Sequence, residues 1–203
     1  MTPVRQRSRD QALQPTVYRS TLRAHPERAV TDEAPAILAA GLVAHVGFEL
    51  EGQPYVMPMS YHYDPAEPRR IYLHGARAGR IVQQLRSGAQ VCVTVTILDG
   101  LVYSRTALYH SMNYRSVVCF ARATGEDIDV GGVLERMVSR YFPGRESGRD
   151  YEPAPRAHIE ATGLVGLVIE DWSAKARTGG PTGPRDADES APGSAGVVPI
   201  AAC

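Results

Sequence analysis

Two clusters of polar side chains in this chain have the composition of a binding site for a phosphorylated ligand. The first follows a strand-like run at residues 70–73 and contains His74, Gly75, Arg77 and Arg80, after which a helical pattern begins. Free backbone N–H groups and the positive end of the helix dipole favour an anion there, and the two arginines can pair with a phosphate. Arginines at a helix start are also common as solvated side chains, so this motif alone leaves both interpretations open.

The second cluster lies in segment 110–120, where polar and aromatic residues precede an apolar, strand-like run. Asn113, Tyr114, Arg115 and Ser116 offer amide, hydroxyl and guanidinium groups at four consecutive positions. This inventory matches a polyol phosphate. We therefore predict that the two clusters contact one phosphorylated cofactor.

Histidines that could bind a metal or a ring have no spacing typical of a zinc site. They are His45, His62, His74 and His110. None belongs to a His-Glu-x-x-His motif, and the three cysteines show no Cys-x-x-Cys spacing, so we predict no metal site and no disulfide. His74 could contact a conjugated ring or serve as an axial metal ligand, but spacing alone favours a histidine hydrogen-bonded at a strand end.

The bulk properties exclude several classes of protein. The 203 residues suffice for one domain, and the formal net charge of zero provides no global field for nucleic acid or for an anionic membrane surface. No run of about 18 apolar residues is present. We expect a soluble cytoplasmic protein that binds neither nucleic acid nor a membrane.

Hydrophobic periodicity predicts many short strands and few helices, which favours a small β-barrel over a βαβ sheet. The predicted helices are 34–42, 80–86 and 130–141, and the predicted strands are 43–50, 55–63, 71–74, 91–98, 103–110, 115–123 and 159–169. A tight turn at 51–54 joins the first two strands, which predicts a hairpin near the start of the sheet. Gly, Pro, Asp and Ser dominate 179–193, which we expect to be loop or partly disordered.

Five ordered segments of the chain resemble the flavin-nucleotide-binding proteins of the pyridoxamine 5′-phosphate oxidase-like superfamily, in the branch that contains the nitroimidazole-reductase-like proteins. The segments are 52–58 (GQPYVMP), 73–76 (LHGA), 91–96 (VCVTVT), 110–117 (HSMNYRSV) and 174–181 (AKARTGGP). The resemblance implies a mainly β (α+β) fold, a split β-barrel with short flanking helices that binds FMN. It further implies a homodimer with two FMN sites at the subunit interface. The domains would be a flexible arm at 1–17, the flavin-binding barrel at 18–178, and a tail at 179–203 that packs on the barrel or on the partner.

The resemblance also implies site residues. The strand 57–61 would lie along the isoalloxazine ring, His74 and Gly75 would sit near the ring and ribityl chain, and Arg80 would hold the phosphate with help from Arg77. Ser116 replaces the glutamine that the oxidases place after the arginine, which shortens that contact. The predicted cofactor-binding residues are Met57, Pro58, Met59, Ser60, Tyr61, His74, Gly75, Arg77, Arg80, Asn113, Tyr114, Arg115, Ser116 and Lys175, and His74 is also the predicted catalytic residue.

The resemblance implies an FMN-dependent oxidoreductase that passes hydride between NAD(P)H, or another substrate, and a small organic molecule. The sequence lacks an evident pyridoxal-phosphate-binding set near its C-terminus, which argues against vitamin B6 oxidation. Other interpretations stay open: a flavin-binding or storage protein without turnover, FAD or deazaflavin instead of FMN, and a heme protein with His74, His45 or His110 as axial ligand.

Overall fold

Runs of β-branched and aromatic residues give this chain strands of up to 16 residues. The computed structural model describes residues 20–125 and 128–201. The strands are β1 (Ala44–Leu50), β2 (Gln53–Met59), β3 (Tyr61–His62), β4 (Arg70–Ala76), β5 (Gln90–Tyr103), β6 (Ser111–Thr124), β7 (Thr162–Arg177) and β8 (Gly196–Pro199). The helices are α1 (Ala34–Ala40), α2 (Arg80–Arg86), α3 (Val130–Tyr141) and α4 (Arg156–Ala161), with 3₁₀ turns at Pro26–Arg28, Thr31–Glu33 and Ala107–Tyr109. In this part of the chain no helix has both the length and the apolar character needed to cross a membrane.

All strands pair antiparallel, in the order β2-β1-β5-β6-β7-β4-β3, with β8 added to β5. The first and last strands of this order, β2 and β3, are consecutive in the chain and are separated only by Ser60. Met59 pairs with Ala44 of β1, while Tyr61 pairs with Leu73 of β4. The sheet therefore curls until its two ends meet, and the predicted mainly β barrel with short helices is confirmed.

Successive side chains along each strand point to opposite faces of the sheet, and this alternation gives two separate apolar clusters. Val93 and Val95 of β5 point into the barrel, where Ile37 and Leu38 of α1 join them, each at most 1% exposed. On the opposite face of β4, a second cluster forms where Tyr72 packs with residues of α3 and β7. The amphipathic α3 thus covers the outer surface of the barrel next to β4.

The predicted hairpin near the start of the sheet is confirmed, with a two-residue turn at Glu51 and Gly52. Both residues have left-handed backbone conformations, with φ of 55° and 81°. Such a turn matches the twist of the flanking strands and favours glycine at its second position. The helices predicted at 80–86 and 130–141 are likewise confirmed.

Three predicted strands differ from the structure. The predicted strand 55–63 is divided at Ser60 into β2 and β3. Residues 104–110 leave the sheet in a 3₁₀ turn, while β5 continues to Tyr103 and β6 begins at Ser111, because this turn reverses the chain to pair Val102 with Ser111. The polar run 110–117 therefore lies mostly within a strand and does not precede one. The late strand begins at Thr162, after the helix α4, and extends to Arg177.

The tail after β7 is held on the barrel by specific hydrogen bonds. The Asp186 carboxylate accepts from the Ser104 hydroxyl at 2.8 Å and from the Arg105 backbone N–H at 2.7 Å. Burial raises the pKa of this carboxyl, but its hydrogen bonds outweigh that effect and lower the pKa below its ordinary value. Further on, β8 pairs with β5 over Gly196–Pro199. The predicted N-terminal arm at 1–17 lies outside the described residues.

Candidate functional site

His74 lies on the outer face of β4, on the same side as Tyr72 and opposite the barrel core. Its strand partner is Leu164 of β7, a member of the apolar cluster beneath α3. The buried Nδ1 of His74 has no hydrogen-bond partner among the described residues. Burial lowers the pKa of this imidazole, so His74 is neutral at pH 7. A neutral imidazole with a free nitrogen can donate to a ring, accept a proton or ligate a metal.

The predicted flavin-facing segment 57–61 splits at the point where the barrel closes. Met57 and Pro58 are exposed, and Met59 packs partly on the core. Ser60 is exposed where the chain passes from β2, which pairs with β1, to β3, which pairs with β4. The antiparallel register places Ser60 next to His74, one position before the pair Tyr61–Leu73. Ser60 and His74 are therefore neighbours at the closure, while Met57 and Pro58 lie three and two positions earlier in the chain, on opposite faces of β2.

Tyr61 differs from the rest of that segment, because the structure places its side chain in the core and not at an accessible surface. The ring is 0% exposed, and its hydroxyl donates to the carbonyls of Leu38 at 2.5 Å and Gly41 at 3.0 Å. The Tyr61 backbone N–H donates to the Tyr141 hydroxyl, and its carbonyl accepts from Arg140. All polar groups of Tyr61 thus have partners within the chain, so this residue supports the barrel closure and leaves nothing for a ligand.

The two arginines near the start of α2 have different environments. The Arg77 guanidinium donates to the backbone carbonyls of Glu160 at 2.5 Å and Thr162 at 3.3 Å, which fixes α4 to the barrel. Arg80 is exposed and has no ion pair with a described residue, and its guanidinium lies 5.3 Å from the Tyr55 ring centroid. Of the two, only Arg80 offers an uncommitted positive charge. It projects near β2, the strand that carries Met57.

Gly75 has a packing role that the sequence does not reveal. A Cβ at this position would approach Cγ2 of Val82 to 3.3 Å, so the residue keeps α2 close to β4. The helix start is in this way held beside His74, although the glycine offers no side chain to a ligand.

In the second cluster, two residues are committed to structure. Asn113 is 9% exposed, and its side chain donates to the Gly179 carbonyl at 3.1 Å and accepts from Arg177 at 2.5 Å. Arg115 forms a two-pronged ion pair with Asp99 at 2.6 and 3.0 Å, which lowers the pKa of that carboxyl. Asp99 is the extra residue of a bulge in β5, between Leu98 and Gly100. Asn113 thus holds the start of the tail, and Arg115 neutralises the Asp99 carboxylate in the bulge.

The remaining residues of this cluster line the outer face of the barrel. Register aligns Thr96, Ser116 and Lys175 across β5, β6 and β7, and Tyr114 is half-buried beside them. The Ser116 hydroxyl donates to the Lys175 carbonyl at 3.3 Å, while the Lys175 ammonium contacts only the Ala24 carbonyl at 3.4 Å among described partners. Lys175 therefore resembles Arg80 in keeping a cation without an acidic partner.

The structure does not bring the two predicted clusters together through any hydrogen bond between described residues. Along β7, the strand partners of His74 and Ser116 are Leu164 and Lys175, which are eleven positions apart (175 − 164). One cluster centres on β2, β4 and α2, and the other on β6 and β7.

Sequence reasoning missed His62 and Arg136 as members of a possible site. His62 is 5% exposed in β3, and Arg136 lies on α3 more than seventy residues later. Both line one cavity of about 320 Å³. The only sequence signal was the alternation in Tyr61-His62-Tyr63, which does not say what packs against the histidine. No group of three or more acidic, histidine or cysteine side chains suited to a metal ion occurs in residues 20–125 and 128–201.

A curled antiparallel sheet whose first and last strands adjoin at Ser60, flanked by short helices, is the architecture of a split-barrel protein. This chain belongs to the pyridoxamine 5′-phosphate oxidase family, whose model matches residues 31–176. No curated relative matches the sequence.

Solved structures extend this comparison. The flavocytochrome Anf3 from Azotobacter vinelandii is 32% identical, with a TM-score of 0.76, over 92% of this chain and 86% of that one. The FAD and heme binding protein from Mycobacterium smegmatis is 29% identical, with a TM-score of 0.72, over 85% of this chain and 84% of that one. A protein from Bacteroides thetaiotaomicron, described as a candidate for 5-nitroimidazole antibiotic resistance, is 23% identical with a TM-score of 0.53 over 71% of this chain and 82% of that one. The last similarity shows the fold alone.

Proposed function

We propose that this protein binds a flavin nucleotide and acts as a redox protein through it. The observation that carries the proposal is the 32% identity to a flavocytochrome over 92% of the chain. The family match over residues 31–176 supports the same class of ligand. A flavin supplies the hydride and electron chemistry when it is bound, so the chain needs no acid–base pair of its own.

The residues of the first cluster fit the parts of a flavin nucleotide. Arg80 offers a charge-assisted donor to a phosphate, because its guanidinium is exposed and lacks an acidic partner among the described residues. Met57, Pro58 and Ser60 are exposed and could contact a flat ring, and Ser60 adjoins the neutral imidazole of His74. We predict FMN from the sequence resemblance, but the name of the M. smegmatis protein favours FAD.

Heme is a second candidate cofactor, favoured by a specific observation. A neutral imidazole is what an iron ligand requires, and burial keeps His74 in that form. His45 and His110 fit less well, since both are exposed and Nδ1 of His110 already lies 3.2 Å from the Ala107 carbonyl. The names of both similar proteins, a flavocytochrome and an FAD and heme binding protein, favour His74 as the axial ligand of a heme beside the flavin.

A second copy of the chain is the proposed partner. The outer surface of β5, β6 and β8 presents a contiguous apolar row in which Leu101 pairs with both Met112 and Val198. The members of this row are 37–52% exposed: Leu98, Leu101, Tyr103, Met112 and Val198. Exposed apolar patches of this kind mark interaction surfaces. A homodimer would cover the row, and the partner's chain would allow both predicted clusters to contact one cofactor.

The substrate is proposed only as a class, a small organic molecule reduced or oxidised through the flavin with NAD(P)H as a possible donor. The nitroimidazole-reductase prediction has no support beyond the fold, because the corresponding structure is 23% identical.

The experiment that tests the proposal is purification under mild conditions, a visible spectrum before and after NADPH, and identification of the released cofactor by mass. A flavin spectrum that bleaches with NADPH supports an oxidoreductase. A flavin that bleaches only with dithionite supports a carrier or a different electron donor. A Soret band that disappears in His74→Ala supports heme, and a protein that acquires neither chromophore when supplied with both refutes the proposal.

A further inference from the structure

A solvent-open cavity of about 320 Å³ lies between β3, the turn that follows it, and α3. Its wall contains five polar side chains that the proposed flavin contacts do not use. They are His62 of β3, Asp64 of the turn, and Arg136, Ser139 and Arg140 of α3. These residues come from separate parts of the chain, and only folding brings them together.

The charges in this wall do not balance. Arg136 is exposed and has no ion-pair partner among the described residues. Arg140 donates to the carbonyls of Tyr61 at 2.6 Å and Leu38 at 3.0 Å, and its guanidinium lies 4.4 Å from the Tyr61 ring centroid, so its partners are all neutral. Among the lining residues, two guanidinium groups accompany one carboxylate, that of Asp64, which gives the wall a formal charge of +1 (+2 − 1), and Glu67 lies outside the wall but acts on His62. An anion would compensate this excess.

His62 lacks the hydrogen bond that a buried imidazole normally has. It is 5% exposed, and its Nδ1 has no partner in the part of the chain that the structure describes. Burial lowers the pKa of His62, and Arg136 and Arg140 lower it further, while Asp64 and Glu67 act in the opposite direction. The ring is therefore neutral, with one nitrogen that donates and one that accepts, and leaving the buried Nδ1 unpaired costs free energy.

Ser139 does not compete for a ligand in this cavity. Its hydroxyl donates to the Glu135 carbonyl one helical turn earlier, at 3.2 Å. Arg136 is the exposed donor of this wall without a described partner, and the buried His62 ring forms part of the wall beside it.

We infer that this cavity binds an oxyanion, a carboxylate or a phosphate group, between the His62 imidazole and the Arg136 guanidinium, with Arg140 as a fixed positive charge behind them. The anion has two possible sources: a free anion from solution, or an acidic group of the bound cofactor. His62 is the diagonal neighbour of His74 across β3 and β4, at about 7–8 Å between Cα atoms, which brings the cavity near the predicted cofactor. The second source rests on the proposed function, whereas the oxyanion site itself does not.

The test is a titration of ¹⁵N-histidine-labelled protein with inorganic phosphate, at constant ionic strength set with chloride, while the His62 ring resonances are recorded. We expect a saturable shift, a higher His62 pKa in the presence of phosphate, and at least tenfold weaker binding in Arg136→Gln. Arg86→Gln, an exposed arginine on α2, is the matched control and should leave the phosphate affinity unchanged.

The two sources are separated by repeating the titration with the cofactor present and removed. Equal binding in both forms identifies a free anion, and binding only after removal identifies an acidic group of the cofactor. A shift that does not saturate, or equal phosphate affinity in Arg136→Gln and the parent, overturns the inference. Because Arg136 is exposed, its substitution leaves the fold intact, which a thermal melt verifies. The titration also stands if the protein binds no flavin, so the two failures are distinguishable.

Discussion

Replacement of Arg80 by alanine is the sharpest test of the proposed phosphate contact, because the side chain does little else. Its contact with a described residue is the Tyr55 ring at 5.3 Å, and an exposed cation–π interaction contributes about 0.5–1 kcal/mol. The free energy of unfolding should therefore fall by about 1 kcal/mol at most. A charge-assisted hydrogen bond contributes about 1.5–3 kcal/mol, so the flavin nucleotide should bind roughly ten- to a hundredfold more weakly.

The assay is a titration of the apoprotein with FMN and FAD, followed by quenching of flavin fluorescence, with thermal melts in parallel. Riboflavin provides an internal control, because it has the same ring and ribityl chain without the phosphate. Its affinity should be equal in Arg80→Ala and the parent protein. Arg86→Ala, on the same helix and equally exposed, should change neither affinity.

Arg77→Ala separates a structural role from a binding role. This substitution removes the hydrogen bonds to the Glu160 and Thr162 carbonyls, so it should lower stability more than Arg80→Ala does. If Arg80→Ala leaves FMN and FAD affinity unchanged, or weakens riboflavin to the same degree, Arg80 does not hold the phosphate. The same conclusion follows if Arg86→Ala produces an equal loss.

Three further predictions concern the histidines and the tail. His74→Ala should retain the flavin and alter the rate of its reduction by NADPH, and loss of the flavin with no other change would contradict the assigned role. Burial holds the pKa values of His62 and His74 below 6.5, so the unfolded chain binds more protons below that pH. The free energy of unfolding, measured with urea, should thus fall as the pH drops from 7.5 towards the folded-state pKa values. If His74→Gln has the same dependence of unfolding free energy on pH as the parent, His74 does not contribute to that dependence. Asp186→Asn should speed amide hydrogen exchange in residues 183–200 but not in α3, since it replaces an acceptor of the Ser104 and Arg105 donors, and unchanged exchange in the tail would show that other contacts hold it.

The local sequence pattern was sufficient to predict an element whose conformation depends on its own residues. The apolar stripe that begins after Asp129 predicts α3 at Val130–Tyr141, and the Asp129 side chain caps that helix by accepting from the Gly132 N–H. The Gly52 turn predicts the first hairpin because a left-handed conformation is needed there. The β-branched runs of β5 and β6 likewise predict strands, although their full lengths exceed the apolar segments.

The candidate site was predicted less completely, because polar side chains were assigned to a ligand before their partners within the chain were known. Asn113 and Arg115 have the chemistry of phosphate ligands, but Gly179 and Asp99 engage them in the folded chain. Tyr61 was equally plausible at a surface, yet it fills the barrel interior. Hydrogen-bond capacity can be read from a sequence, but its use depends on contacts between distant residues.

The sequence by itself determined the class of fold, the helix at α3, the hairpin at Gly52 and the choice of His74 and Arg80 as candidates, because these depend on periodicity, turn conformation and side-chain chemistry. Only the tertiary structure decided which donors stay free. Barrel closure at Ser60 brings Ser60 beside His74, and the packing of α3 on β3 and β4 brings Arg136 to His62 across more than seventy residues. Such pairings arise from the curvature of the sheet and the position of a helix on it, which no local pattern encodes.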